Sequence, residues 1–279
     1  MWRKGININS LSLCSHYLRM IFGETDTIIS TGTGFIYEHE HTYYLITNGH
    51  NLTGINPETG ERLANHSGFP TLIRTKARLV PSDNPEALVT DFFDIALYTD
   101  ENYQVPRWFI HPLKGYTIDV VAIPILEKLN IAEGVKLFPL NNVEFDTQFP
   151  PEVSDNVFIL GYPFDITGGK ELPIWKRGTI ATEVGIDLDD LPKLLVDTAT
   201  RSGMSGSPVI YERSGYHRTP DGDTNKDIIG RIRGFLGIYS GRIGAEDNFK
   251  SQLGIVWKPQ VIEEILMDKI KGTISFQNK

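Results

Sequence analysis

The chain has 279 residues, 40 % of them apolar and 22 % charged, proportions that fit a globular protein with a sizeable core. A net charge of −8 argues against a broad basic face, and so against nucleic-acid binding as a main function. The single cysteine, Cys14, cannot form an internal disulfide, and no window approaches the roughly 18 apolar residues of a membrane span.

Near the start, Asn7, Asn9, Ser10, Ser12, Ser15 and His16 interrupt any apolar run of a secretory leader, so a cytoplasmic setting is expected. Gly34–Glu38 and Tyr43–Thr47 are aromatic and β-branched on either side of a polar stretch, which predicts a β-hairpin. Short strands are predicted at Ala77–Leu79, Ile95–Tyr98, Thr117–Ile123, Asn156–Leu160, Gly178–Ala181, Leu194–Asp197, Pro208–Tyr211 and Ile232–Ile238. Many short strands at loop-sized spacing point to a sandwich or barrel. Residues 137–154 are Pro-rich and weakly patterned, and read as a crossover between an N-terminal unit, 1–136, and a C-terminal unit, 155–279. Arg213–Asp227 reads as a long polar loop. Pro259–Ile270 carries Val261, Ile262, Ile265, Leu266 and Ile270 at the spacing of an amphipathic helix.

The most specific segment is Gly203-Met204-Ser205-Gly206-Ser207-Pro208. A nucleophilic serine needs a tight turn whose backbone N–H groups face a developing oxyanion. Gly203 can adopt the backbone angles that such a turn requires, and Gly206 leaves room for a substrate main chain. The serine also needs a base. His50 follows the apolar strand Tyr43–Thr47 and emerges where that strand ends, so its imidazole can take the Ser205 proton. The base needs an orienting carboxylate in turn. Asp94-Ile95-Ala96-Leu97 sets a carboxylate directly before an apolar strand, which makes Asp94 the candidate.

Thr47–His50, Asp94–Leu97 and Gly203–Pro208 resemble the three motifs of the chymotrypsin-like serine peptidases, in that family's order of His, Asp and Ser. Thr31–Phe35, Gly161-Tyr162-Pro163, Gly237–Gly241 and the C-terminal helix extend the resemblance over nearly the whole chain. The Ser-Gly-Ser-Pro variant and the lack of disulfides are most similar to bacterial and viral members, including glutamyl endopeptidases and, more distantly, HtrA-type proteases without a PDZ domain. The resemblance implies two packed six-stranded antiparallel β-barrels with a C-terminal α-helix, and a serine endopeptidase working through an acyl-enzyme without a cofactor. It further implies an oxyanion hole from the N–H groups of Gly203 and Ser205. Ala199, Thr200 and Arg201 would line the specificity pocket, Tyr239 would stand where glutamyl endopeptidases place a substrate-binding His, and Ser240, Gly241 and Arg242 would pair with an extended peptide.

Two departures from the family carry consequences. Ala199 stands where trypsin-like specificity needs an anion, so Lys or Arg at the cleavage site is not required. Met204 stands where digestive members carry the Asp that pairs with a freed amino terminus, so no N-terminal cleavage is expected and the oxyanion turn must be ordered by other means. A weak or inactive relative that only binds peptides, and an esterase using the same triad, are the alternatives. A regulatory protein partner and a role in bacterial defence are further expectations. Other motifs count for less. Glu38–His41 reads as a solvated turn rather than a metal site, and Asp221–Asp227 has Lys226 where a calcium loop needs Gly.

Overall fold

Alternating burial lays the chain out as two antiparallel sheets that share an apolar interface. The computed structural model describes residues 8–57, 59–63, 69–79, 89–125, 137–199, 201–219, 221–242 and 252–274. In chain order, α1 (Ser10–Cys14) leads into β1 (Ser15–Phe22), β2 (Thr27–His39) and β3 (Thr42–Thr47). The short helix α2 (Gly49–Thr53) follows, then β4 (Leu72–Leu79), β5 (Val89–Ala96), β6 (Phe109–Ile110) and β7 (Val121–Pro124). The second half holds β8 (Asn156–Gly161), β9 (Ile174–Ile180), β10 (Lys193–Asp197), β11 (Pro208–His217), β12 (Ile228–Arg242) and β13 (Leu253–Trp257). It ends with α3 (Gln260–Asp268) and β14 (Ile270–Lys271).

The expected pair of β-rich units and the C-terminal helix are present. The second sheet closes as a six-stranded barrel in the order β10-β13-β12-β11-β8-β9. The first has eight strands rather than the expected six, in the order β14-β6-β7-β3-β2-β1-β4-β5. One extra strand arises from a short pairing between distant segments. Ile270 and Lys271 return to pair with Ile110 and Phe109, so the end of the chain adds β14 to the first sheet. That return is fixed by α3, whose stripe of Val261, Ile262, Ile265 and Leu266 is fully buried in the cluster that also holds Tyr44, Phe109 and Ala122.

The predicted hairpin forms, with Glu40 and His41 both at positive φ (49° and 60°), as a two-residue turn between right-twisted strands requires. The predicted loop Arg213–Asp227 is shorter than expected. β11 runs on to His217 and pairs with β12 out to Ile228, because Tyr216 and Ile229 still face each other across the ladder. At the tip, Lys226 Nζ reaches Asp221 Oδ2 (2.8 Å) and Asp223 Oδ2 (3.5 Å), a lysine neutralising the acidic turn. β1 and β13 lay beyond the sequence reading. Both are largely buried, so they lack the strict polar alternation of a half-exposed strand.

Candidate active site

The serine turn lies between β10 and β11. Gly203 and Gly206 have φ of 89° and 87°, a region that side-chain-bearing residues rarely adopt. Space excludes a Cβ as well: on Gly203 it would lie 2.4 Å from the Tyr162 carbonyl oxygen, and on Gly206 2.0 Å from that of Thr33. Met204 is fully buried in the barrel core beside Val157, Val209 and Leu236. The turn is therefore anchored by an apolar side chain. Gly206 N–H donates to the Tyr239 carbonyl (2.8 Å) and Tyr239 N–H to that of Ser207 (2.9 Å), which bind the turn to β12.

His50 sits on α2, one turn of helix that starts where β3 stops. Its Nδ1 lies 2.6 Å from Asp119 Oδ2, and its backbone N–H donates to Asp119 Oδ1 (2.8 Å). Ser240 Oγ donates to Asp119 Oδ2 as well (2.5 Å). Asp119 is 1 % exposed. A buried carboxylate persists only when its oxygens are hydrogen-bonded, and here both accept donors from His50 while one also accepts Ser240. The β-bulge between Tyr239 and Gly241 gives β12 its extra residue, Ser240, whose hydroxyl reaches Asp119. Asn48 Nδ2 donates to the Asp119 backbone carbonyl (2.6 Å), holding the turn before β7 against the end of β3.

The carboxylate in contact with His50 is thus Asp119, not the expected Asp94. Asp94 lies inside β5 rather than ahead of a strand, registered opposite Arg74 of β4. Its side chain is 40 % exposed, and both its oxygens accept from the Arg74 guanidinium, at 2.7 and 2.8 Å. Neighbouring Ile95 points inward, so the strand's period of two turns Asp94 outward. Asp119 meets the criterion applied to Asp94, a carboxylate immediately before an apolar strand. Asp119-Val120-Val121-Ala122 is the available signal, hidden because the predicted strand Thr117–Ile123 takes in Asp119 whereas β7 begins at Val121.

His50 and Ser205 line one cleft of about 450 Å³ between the two sheets. Arg201, Gly203, Tyr239, Ser240 and Gly241 line it too. Ala199 is half-buried after β10 and is not among the described lining residues. Thr200 and the Arg242 side chain lie outside the described residues, although the Arg242 backbone closes β12 opposite Gly254. Asn51, Arg62 and Ile255 join the lining without having been singled out in the sequence. Among the described lining residues there are two arginines, Arg62 and Arg201, and no carboxylate.

Residues 32–216, more than half of the chain, match the trypsin-like peptidase domain. The chain belongs to the trypsin-like peptidase family. The matched span of this trypsin-like peptidase holds His50, Asp119 and Ser205. No curated protein matches it. Among solved structures it is similar to the inactive form of a serine-to-alanine mutant of Rv3671c from M. tuberculosis H37Rv. That match has 14 % identity, covers 93 % of this chain and 87 % of the other, and has a TM-score of 0.46. It is also similar to the inactive form of the Rv3671c protease, at 14 % identity, 93 % and 90 % coverage and a TM-score of 0.44. No helix among the described residues is long and apolar enough to cross a membrane.

Proposed function

We propose that this trypsin-like peptidase is a serine endopeptidase in which Ser205 is the nucleophile, His50 the general base and Asp119 the carboxylate that orients and stabilises the imidazolium. The observation that carries the reading is the Asp119–His50 contact of 2.6 Å at the edge of the cleft that Ser205 also lines. With Nδ1–H committed to Asp119, the other ring nitrogen is left as the acceptor for the Ser205 proton. Ser205 then attacks a peptide carbonyl, His50 passes the proton to the leaving amine, and water hydrolyses the acyl-enzyme. The N–H groups of Gly203 and Ser205 face the oxyanion. Among the described residues no backbone carbonyl accepts from either of them.

A peptide substrate is supported by β12. Gly241 and Arg242 pair with β13 on one side, and β11 begins opposite Ile238, so among the described residues no strand pairs with their other side, the edge that an added peptide strand would use. Two arginines and no carboxylate among the described lining residues disfavour Lys or Arg at the cleavage site. The lone, buried Cys14 supports a reducing, cytoplasmic setting. The test is labelling by a fluorophosphonate together with peptide hydrolysis. Ser205→Ala is expected to abolish labelling and to lower turnover by about 10⁶-fold, with unfolding unchanged. Turnover within about tenfold of wild type would remove Ser205 as the nucleophile.

A further inference from the structure

We propose that Thr33 is a positioning residue that holds the oxyanion turn from the opposite sheet, an inference that rests on the serine-peptidase reading above. Thr33 lies on β2 of the first sheet, fully buried, and meets the second barrel through both backbone and side chain. Its N–H donates to the Ser205 carbonyl (2.9 Å) and its Oγ1 to the Gly203 carbonyl (2.7 Å). Its own carbonyl accepts Thr47 Oγ1 (2.7 Å) and fills the space that a side chain on Gly206 would need.

Peptide planarity gives these bonds their effect. In a trans peptide the N–H points opposite to the preceding carbonyl. The Ser202 carbonyl accepts Phe164 N–H (2.8 Å) and the Met204 carbonyl accepts Ser207 N–H (3.1 Å). Those two peptide units own the N–H groups of Gly203 and Ser205. The unit between them is the one whose carbonyl Thr33 Oγ1 holds. The carbonyls of Ser202, Gly203, Met204 and Ser205 are therefore all engaged by donors, and reorienting the Gly203–Met204 unit that links the two N–H groups would break the Thr33 Oγ1 bond.

The anchor is tied to the base as well. Asn51, next to His50, donates through Nδ2 to Thr47 Oγ1 (2.9 Å) and to the Ser205 carbonyl (3.3 Å). Asn51, Thr47 and Thr33 thus join the His50 helix to the Ser205 turn in one buried network. Gly161 leaves room for it, since a Cβ there would lie 3.0 Å from Thr33 Oγ1. Together with the buried Met204 side chain, this network supplies the order that a terminal ion pair would otherwise give.

The test compares wild type, Thr33→Val and Thr33→Ser well below each melting temperature, by peptide hydrolysis and by affinity for a peptide boronic acid that mimics the tetrahedral intermediate. Thr33→Val is expected to lower kcat by about 10- to 100-fold, less than outright loss of an oxyanion donor, with KM within about threefold. Boronate affinity should weaken in step with kcat/KM, and Thr33→Ser should stay within about threefold of wild type. If Thr33→Val does not fold, Thr33→Ala set against Thr33→Ser gives the same contrast. A purely structural role would lower the melting temperature and leave kcat and boronate affinity alone, and that result overturns the proposal. Equal losses in Thr33→Val and Thr33→Ser overturn it too. A wild-type chain inert to both substrate and boronate would sink the serine reading itself, and this proposal with it.

Discussion

Asp94 and Asp119 are each followed by three apolar residues, Asp-Ile-Ala-Leu and Asp-Val-Val-Ala, and occupy opposite environments. Asp94 is a rung in the middle of β5, turned to solvent and gripped by Arg74. Asp119 sits in the turn before β7, almost wholly buried, and receives His50 and Ser240. Strand pairing makes the difference. β7 lies beside β3 with Val121 opposite Thr47, so the residues preceding one strand meet those following the other. Among the described residues β5 pairs only with β4, at the far edge of the sheet. A carboxylate's role here follows from which strand end it adjoins.

The comparison can be broken most decisively at Asp119. Asp119→Asn keeps the shape while changing the group that faces Nδ1, so kcat should fall by about 10⁴-fold, measured as steady-state peptide hydrolysis. A loss below about tenfold would return the orienting role to another group. Ser240→Ala sharpens the picture. It removes one of the hydrogen bonds to the charged carboxylate and leaves His50 in place, so a drop of about tenfold in kcat/KM is expected, smaller than for Asp119. Asp94→Asn should have the smallest effect. Turnover should stay within about twofold and stability should change by less than about 1 kcal/mol, because an exposed ion pair is screened by water. Chemical denaturation and the same hydrolysis assay check both. A loss of activity from Asp94→Asn comparable to that from Asp119→Asn would mean that the contrast between the two sites is wrong.

Much of this protein was legible in its sequence. The Gly203–Pro208 turn demands glycine where side chains cannot fit, and such demands are written in residue identity. His50 after an apolar strand, the hairpin before it, and the helix from Gln260 to Asp268 follow from local patterning in the same way. Local patterning was silent where the answer depended on pairing between distant segments. It could not separate Asp94 from Asp119, because both precede apolar residues and only the β3–β7 register decides between them. Nor could it assign Thr33, whose Oγ1 partner Gly203 lies 170 residues away in the other barrel. β14 likewise joins the first sheet only because the buried stripe of α3 packs there. Sequence by itself determined the chemistry that each short segment can perform. The tertiary structure alone decided which segments meet, since β-sheet contacts are non-local and their register is set by packing across the whole fold.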